Sequence, residues 1–330
     1  MARVLLTGRT GFIGAHILNE LLARGHTVVA AVRSQLKGQQ LLRRYTPDVA
    51  KRISTIIVED IIKEGAFDQA IQAAPFDVVI HCASPFYYRP NNPEEDMLRP
   101  AIRGAVGILE SVKKHAPSVK RVIITSSFAA IINFNSHTEK VWNPVTYAQA
   151  LNPALSYPGS KKLAEEAAWA FMRDEQPSFA LTTICPPLVY GPVANHLDSL
   201  DNVNTSNSRI RDIILGKFSD AIPPTVLYLW VDVRDVAHAH VQAIDIPEAA
   251  NERFLVTAGH YDNKVIVEII REEFPQLKER LPSRDLAGDL PTDVYKFDNS
   301  KSANVLGVKY QSLRVSVRDT VATLLEQGNV

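Results

Sequence analysis

The first half of the chain alternates between short apolar runs and longer stretches in which apolar residues recur at helical spacing. The runs are rich in β-branched residues, which predicts strands of a parallel sheet covered on both faces. They are Val4–Thr7, Thr27–Val32, Ile53–Val58, Asp77–Cys82 and Arg121–Ser126. Helical spacing occurs at Gly11–Arg24, Lys37–Tyr45, Phe67–Ala74 and Glu94–His115. Alternating strands and helices with right-handed crossovers predict a doubly wound α/β sheet of the Rossmann type.

A further helix and strand follow, after which the pattern changes. We expect the helix from about Tyr157 to Arg173 and the strand over Phe179–Cys185. Beyond Pro187 the alternation is lost, which predicts a Rossmann domain over 1–186 and a smaller C-terminal substrate lobe, mostly 187–330. The helices expected in this lobe are Ser206–Leu215, Val233–Ile244, Lys264–Phe274 and Leu313–Gln327. Two later runs, Leu227–Val231 and Phe254–Val256, are candidates to return to the large sheet, so the domain boundary is approximate.

The composition of the 330-residue chain is typical of a soluble globular protein, with 46% hydrophobic and 22% charged residues. Because 36 basic residues offset 36 acidic ones, neither nucleic acid nor a membrane surface is expected as the main partner. No run reaches about 18 uninterrupted apolar residues, and the N-terminus lacks a signal-peptide pattern. Cys82 and Cys185 fit a reducing compartment better than a disulfide framework or a metal site. We therefore expect a cytoplasmic protein.

A glycine-rich segment connects the first predicted strand to the first predicted helix. Gly8, Gly11 and Gly14 suit, in that order, a tight turn, the approach of backbone N–H groups to a pyrophosphate, and close packing of helix on sheet. The phosphates would lie at the positive end of the helix. This pattern predicts a dinucleotide site, and the alternative is a plain turn with helix-packing glycines. The other loop residues assigned to the site are Arg9, Phe12 and Ile13.

The residues after the second predicted strand indicate which dinucleotide is bound. An acidic residue there would bind the ribose 2′-hydroxyl of NAD, but the segment 32–37 contains none. Arg33 is placed to pair with a 2′-phosphate, with Lys37 and Arg9 as helpers, which favours NADP(H). The alternative is that these side chains are solvated surface charges.

Residues at the ends of later strands are expected along the cofactor. Asp60 follows the third strand, where it either contacts the adenine amino group or caps the next turn, and both interpretations stay open. Ala83 and Ser84 follow the fourth strand and would line the path of the cofactor. Thr125, near the end of the fifth strand, is assigned to the same site.

Tyr157 and Lys161 form a Tyr-x-x-x-Lys pair. A phenol with the ordinary pKa of about 10 is a poor acid–base catalyst at neutral pH. The Lys161 charge, one helical turn away, is expected to lower that pKa. A hydride from the nicotinamide would then reduce a carbonyl carbon while Tyr157 protonates the oxygen and Ser127 stabilises it. Such pairs also occur by chance on many helices, but here a dinucleotide loop and a serine-bearing strand end accompany the pair.

The combination of these motifs resembles the extended short-chain dehydrogenase/reductase superfamily. Finer features resemble its dihydroflavonol-reductase-like branch, and within it the yeast and fungal NADPH-dependent methylglyoxal, aldehyde and other carbonyl reductases. These features are Val32-Arg33-Ser34, His81-Cys82-Ala83-Ser84-Pro85, Tyr157-x-Gly159-Ser160-Lys161-Lys162, Tyr190-Gly191-Pro192, Val231-Asp232-Val233-Arg234-Asp235-Val236-Ala237 and Phe297-Asp298-Asn299-Ser300-Lys301-Ser302.

The resemblance implies an NADPH-dependent reductase of aldehydes and ketones whose catalytic set is Ser127, Tyr157 and Lys161. It also implies that three residues after the last Rossmann strand pack beside the nicotinamide ring: Pro187, Leu188 and Val189. Plant cinnamoyl-CoA reductases of this branch carry Asn-Trp-Tyr-Cys-Tyr-Gly-Lys, whereas residues 155–161 here are Leu-Ser-Tyr-Pro-Gly-Ser-Lys. This departure disfavours a CoA thioester substrate.

Side chains after several strand ends are candidates for the substrate pocket, where apolar and aromatic groups would form a cleft over the nicotinamide. The candidates are Phe86, Phe128, Ile132 and Tyr190, and the alternative for each is ordinary core packing. His81, His238 and His240 are expected to be structural.

Two other functions stay open at this point. A nucleotide-sugar epimerase or dehydratase uses the same fold and Tyr-Lys chemistry, although the missing acid near Arg33 counts against it. A non-catalytic NADPH sensor would not need Tyr157, Lys161 and Ser127 together. The physiological substrate, the stereochemistry of the product and the oligomeric state are not predicted.

Overall fold

The computed structural model describes residues 1–84, 90–133, 136–194 and 199–327, and the predicted pocket residue Phe86 lies outside these ranges. The strands are β1 (Arg3–Thr7), β2 (Thr27–Val32), β3 (Ile53–Ile57), β4 (Val78–His81), β5 (Arg121–Thr125), β6 (Ser136–His137), β7 (Ala180–Cys185), β8 (Leu188–Tyr190), β9 (Leu229–Asp232), β10 (Glu252–Leu255), β11 (Gly259–His260) and β12 (Lys296–Phe297). The α-helices are α1 (Phe12–Ala23), α2 (Gln35–Leu42), α3 (Pro47–Ala50), α4 (Asp68–Gln72), α5 (Arg99–His115), α6 (Tyr147–Ala150), α7 (Pro153–Glu175), α8 (Thr205–Ile214), α9 (Val233–Gln242), α10 (Asn263–Glu273), α11 (Ser300–Val305) and α12 (Leu313–Gln327).

Seven strands form the large sheet in the order β10-β7-β5-β4-β1-β2-β3, and every neighbouring pair is parallel. The chain runs from β1 to β3 on one side and from β4 to β10 on the other. The direction changes between β1 and β4, whose carboxyl ends open the crevice in which doubly wound sheets bind ligands. The predicted Rossmann-type α/β sheet is confirmed.

Two apolar layers cover the large sheet because successive strand residues point to opposite faces. Val4 and Leu6 pack into the layer that contains α1 and α9, whereas Leu5 packs into the layer that contains α5 and α7. Since α9 lies beyond residue 187, the C-terminal part of the chain contributes a helix to one of the two layers that cover the large sheet. Packing in these layers fixes α1 and α7 on the two faces of the sheet, beside the strands that carry the candidate site.

A second sheet forms in the C-terminal part of the chain, where β8 pairs with β9 in parallel and β11 pairs with β9 in antiparallel orientation. Together with α8, α10 and α12 it encloses a separate core that includes Trp230 and Ile266. Of the two late runs considered for the large sheet, the one with Phe254 forms β10 at its edge, whereas the one with Val231 forms β9 of this second sheet.

Candidate active site

The glycine loop between β1 and α1 has the backbone that the sequence motif predicts. Gly8 lies in the left-handed region at φ +73°, and a Cβ there would lie 2.5 Å from the backbone nitrogen of Ala83. The Gly11 N–H donates to the Gly8 carbonyl at 3.0 Å and closes the turn. A Cβ on Gly14 would lie 2.8 Å from the carbonyl carbon of Gly8. Two of the three glycines are therefore required sterically.

The start of α1 suits an anionic group. Helix geometry leaves the N–H groups of Phe12, Ile13 and Gly14 without intrahelical acceptors. No acidic residue lies in this first turn, so the positive end of the helix is not neutralised. Gly11 is exposed, and among the described non-neighbouring residues a Cβ there would meet only the Gly8 carbonyl oxygen, at 3.3 Å. The loop therefore leaves room for a phosphate close to its backbone, and it fits a dinucleotide.

The three basic residues predicted at the 2′-phosphate differ in their surroundings. Arg33 and Lys37 are exposed around the start of α2, and the Ser34 hydroxyl caps this helix by accepting the Lys37 N–H at 3.4 Å. Arg9 is only 4% exposed. Its burial lowers the pKa of the guanidinium, and a hydrogen bond with Tyr45 opposes that shift. Arg33 and Lys37 are accordingly the accessible cations of this group.

Hydrogen bonds hold the crevice between β1 and β4 together. The Thr7 hydroxyl accepts the Ala83 N–H at 3.3 Å and lies 2.9 Å from Nδ1 of His81. Burial, followed by the Lys161 charge, lowers the pKa of His81 to about 3, so this ring is neutral.

Asp60, which follows β3, accepts the Ile62 N–H at 3.1 Å, which agrees with the turn-capping alternative for that residue.

Ser127, Tyr157 and Lys161 come together where β5 meets α7. The Ser127 side chain is hydrogen-bonded to Tyr157, and its Oγ also accepts the Ala129 N–H at 3.1 Å. The Lys161 ammonium donates to the Ser84 hydroxyl at 3.0 Å and lies 5.8 Å from the centre of the Tyr157 ring. The predicted set is thus adjacent to the loop after β4.

Burial dominates the electrostatics of this set. Desolvation raises the pKa of the Tyr157 phenol, and the hydrogen bond to Ser127 opposes the shift. Burial also lowers the pKa of Lys161 to about 8. The expected lowering of the phenol pKa is therefore wrong for this structure, because desolvation of the phenolate outweighs the favourable contacts. Tyr157 is accordingly a protonated phenol, but its raised pKa makes it a weaker acid, so proton donation depends on stabilisation of the phenolate by Ser127 and the nearby Lys161 charge.

The helix that carries the tyrosine begins at Pro153, earlier than the sequence pattern predicts. Pro153 suits the first helical position, and the Asn152 side chain caps the helix by accepting the Ala154 N–H at 3.0 Å. Pro158 lies inside the helix and removes one backbone donor beside Tyr157. A Cβ on Gly159 would lie 3.3 Å from Cα of Ala150, so glycine allows α6 to pack tightly against α7.

Thr125 is engaged by a buried histidine. Its hydroxyl lies 2.7 Å from Nε2 of His240, whose Nδ1–H donates to the Val236 carbonyl at 2.8 Å. Nε2 therefore accepts from Thr125. Burial lowers the pKa of His240 to about 4, and the neutral ring fits the expected structural role.

The predicted pocket side chains mostly lie in cores. Phe128 is fully buried, and its ring centre lies 4.9 Å from that of His137. Ile132 is partly buried against the same cluster. Tyr190 is 1% exposed, and its hydroxyl lies 2.9 Å from that of Tyr261 in the C-terminal core. Core packing, the alternative considered for each residue, describes Phe128 and Tyr190 in this structure.

The segment after β7 is exposed unevenly. Pro187 and Leu188 are partly buried, whereas Val189 belongs to the core of the large sheet. This segment joins the first helix through His16, whose Nε2 lies 2.8 Å from the Pro192 carbonyl oxygen.

Sequence reasoning missed two charged residues beneath the site, Glu165 on α7 and Arg253 on β10, which form a buried ion pair. The available signals were the spacing of Glu165, eight residues after Tyr157 on the same helix face, and an arginine within an apolar strand. Among the described residues, no group of three or more potential metal ligands occurs, and no helix has the length and apolar character needed to cross a bilayer.

The sheet order, the glycine loop and the Ser-Tyr-Lys cluster together define an extended short-chain dehydrogenase/reductase. Residues 4–257 match the model of the NAD dependent epimerase/dehydratase family. The chain belongs to this family, which confirms the resemblance seen in the sequence motifs.

Individual relatives are similar along nearly their whole length. The ketoreductase azaE of Aspergillus niger is 47% identical, with 99% of this chain and 98% of that protein covered. The NADPH-dependent methylglyoxal reductase GRE2 of Saccharomyces cerevisiae is 34% identical, with 98% of each covered. The solved structure of Gre2 from Candida albicans in complex with NADPH superposes with a TM-score of 0.91 at 36% identity, and 99% of each chain is covered.

Proposed function

We propose that this protein is an NADPH-dependent carbonyl reductase that converts aldehydes and ketones to alcohols. The observation that carries the proposal is the position of the Tyr157 phenol, which is hydrogen-bonded to Ser127 and lies beside Lys161. The names of the ketoreductase and methylglyoxal reductase relatives support the same reaction class.

NADPH would be held by the glycine loop, with its pyrophosphate at the start of α1 and its 2′-phosphate near Arg33 and Lys37. The steric need for Gly8 and Gly14 and the exposure of both cations support this assignment. Lys161 and Ser84, which are hydrogen-bonded to each other at 3.0 Å, would also contact the cofactor. When bound, NADPH supplies the hydride for the carbonyl carbon.

Protonation of the substrate oxygen and stabilisation of the developing charge would be carried out by three side chains of the protein. Ser127 donates a hydrogen bond to the substrate oxygen and stabilises the charge that develops there. Tyr157 gives its phenolic proton to that oxygen, which completes the alcohol. Lys161 stabilises the phenolate that is left behind, because an ammonium that titrates at about 8 is charged at neutral pH.

We also propose that residues 1–186, joined by α9 and β10, bind the cofactor, while most of 187–330 forms the wall of the substrate pocket. The second sheet and its own apolar core support this division. Cys82 and Cys185 are free thiols, which suits a cytoplasmic enzyme.

The test follows NADPH consumption over aliphatic aldehydes, aromatic aldehydes, α-dicarbonyls and prochiral ketones, with NADH in parallel. We expect turnover with at least one class and a clear preference for NADPH. If NADPH binds but no carbonyl in the panel is reduced, the proposal is overturned in favour of the epimerase or sensor alternatives.

A further inference from the structure

Glu165 is a carboxylate buried under the candidate catalytic set. It is 3% exposed and lies on α7, four residues after Lys161 and eight after Tyr157. Residues at these spacings share one helix face. The two proposed catalytic side chains and Glu165 therefore project from α7 in the same general direction. Glu165 is the most C-terminal of the three and the most buried.

Three strands of the large sheet hold this carboxylate. The Ser126 hydroxyl after β5 donates to Oε2 at 2.5 Å, and the Thr183 hydroxyl of β7 donates to Oε1 at 2.7 Å. Arg253 of β10 binds both oxygens, through Nε at 2.7 Å and Nη2 at 3.1 Å. This bidentate geometry fixes both the position and the plane of the carboxylate. The rotation of α7 relative to the sheet is thereby fixed at this point.

Arg253 extends the same attachment to the polypeptide around Ser127. Its Nη2 donates to the Ala130 carbonyl at 3.3 Å, in the 3₁₀ turn that follows Ser127. Its Nη1 donates to the Val141 carbonyl at 2.6 Å, and the guanidinium lies 3.7 Å from the centre of the Trp142 ring. One arginine thus connects the helix of Tyr157 with the turn of Ser127 and with the segment that follows it.

We propose that the Glu165–Arg253 pair is a positioning device that sets the distance between the Ser127 hydroxyl and the Tyr157 phenol. Ser126 and Ser127 are adjacent residues directly after β5, and they contact α7 at two points, Glu165 and Tyr157. A displacement at the first contact is therefore transmitted to the second. The proposal rests on the reductase function above. A buried ion pair with every partner in place resists small displacements, because moving one group leaves the other desolvated and unpaired.

The test compares Glu165→Gln with Glu252→Gln, its matched control. Glu252 is the neighbour of Arg253 on β10 but is a surface residue paired with Lys301. We expect Glu165→Gln to lower kcat by about 100-fold, the loss typical of a displacement of about 1 Å at a reacting group. The Kd for NADPH should stay within about twofold, since cofactor binding does not depend on the distance between Ser127 and Tyr157. Glu252→Gln should change neither value.

A milder pair of variants covers the case in which Glu165→Gln does not fold. Thr183→Val removes one hydroxyl donor from Glu165 and keeps the ion pair, whereas Thr320→Val makes the same change in a fully buried threonine of α12. We expect about tenfold lower kcat for Thr183→Val only. If Thr183→Val loses stability but keeps the wild-type kcat per folded molecule, the role is structural and the proposal is overturned.

A readout without turnover separates this proposal from the reductase assignment. 3-Fluorotyrosine placed at position 157 reports the surroundings of the phenol through its fluorine resonance. Glu165→Gln and Thr183→Val should shift that resonance, while Glu252→Gln and Thr320→Val should not. Shifted resonances in a protein that reduces no carbonyl would contradict the reductase function alone. Unshifted resonances would contradict the positioning role, whatever the activity.

Discussion

Burial and the neighbouring side chains act on the pKa of Tyr157 in opposite directions. Burial disfavours the phenolate, and the hydrogen bond with Ser127 offsets part of that effect. A protonated phenol beside a charged ammonium suits the donation of a proton to a carbonyl oxygen. The Tyr-x-x-x-Lys spacing predicts the pair, but the direction of the phenol pKa depends on how deeply the ring is buried, which spacing does not reveal.

Arg33 is the residue on which the cofactor preference depends. We expect Arg33→Asp to weaken NADPH binding by about 10- to 100-fold, since hydrogen bonds to charged groups contribute about 1.5–3 kcal/mol. NADH lacks the 2′-phosphate and should bind nearly unchanged. Titration of both cofactors, followed by the fluorescence of the reduced nicotinamide, provides the measurement.

The control for this change is Arg43→Asp. Arg43 is an exposed arginine at the opposite end of α2, so it undergoes the same charge reversal away from the loop. Its affinity for both cofactors should stay at the wild-type value. Equal losses for NADPH and NADH in Arg33→Asp would contradict the assignment of the 2′-phosphate.

The strand–loop–helix unit from β1 to α1 depends on close contact between backbone atoms. A Cβ at Gly14 would meet the backbone of Gly8 and, at 2.9 Å, Cα of Arg9. We expect Gly14→Ala to lower the free energy of unfolding by about 1–3 kcal/mol, as overpacking typically does, and to weaken NADPH binding because the loop must move. Thermal unfolding with and without NADPH measures both effects.

Gly107→Ala is the matched control. Gly107 lies in α5, and in the described part of the chain no atom beyond its neighbours and the adjacent helix backbone lies within 4 Å of a Cβ built there. Alanine is the better helix former by up to about 1 kcal/mol, so this variant should be as stable as the wild type or more stable. Gly14→Ala with unchanged stability and unchanged NADPH affinity would show that the contact between loop and helix is less strict than the structure indicates.

The strength of the local pattern decided which elements could be predicted. Helices such as α10 and α12 have long apolar periodicity, and their bounds differ from the predicted ones by at most one residue at either end. The two-residue strands β6, β11 and β12 are too short for any periodic signal. Their existence depends on pairing between distant segments, which local sequence does not encode.

At the scale of the whole molecule, some parts of the candidate site could be predicted from the sequence and others could not. The glycine loop and the Tyr-x-x-x-Lys pair are local motifs, so spacing alone predicts them. The contact between Glu165 and Arg253 joins residues 88 positions apart, and either one alone resembles a solvated charge. Phe128 illustrates the converse, because its place after a strand end suggested a pocket but the closed packing around it depends on distant segments.

The central claim is that Tyr157 donates the proton, and Tyr157→Phe tests it most directly. Tyr147→Phe is the control, since that hydroxyl is exposed and bonds Glu94 at 2.9 Å. With the best carbonyl substrate and NADPH, we predict that Tyr157→Phe lowers kcat by about 10²- to 10⁴-fold, the usual contribution of a general acid, while the Kd for NADPH and the Tyr147→Phe rate stay unchanged. A Tyr157→Phe enzyme that reduces the carbonyl at the wild-type rate would contradict the mechanism.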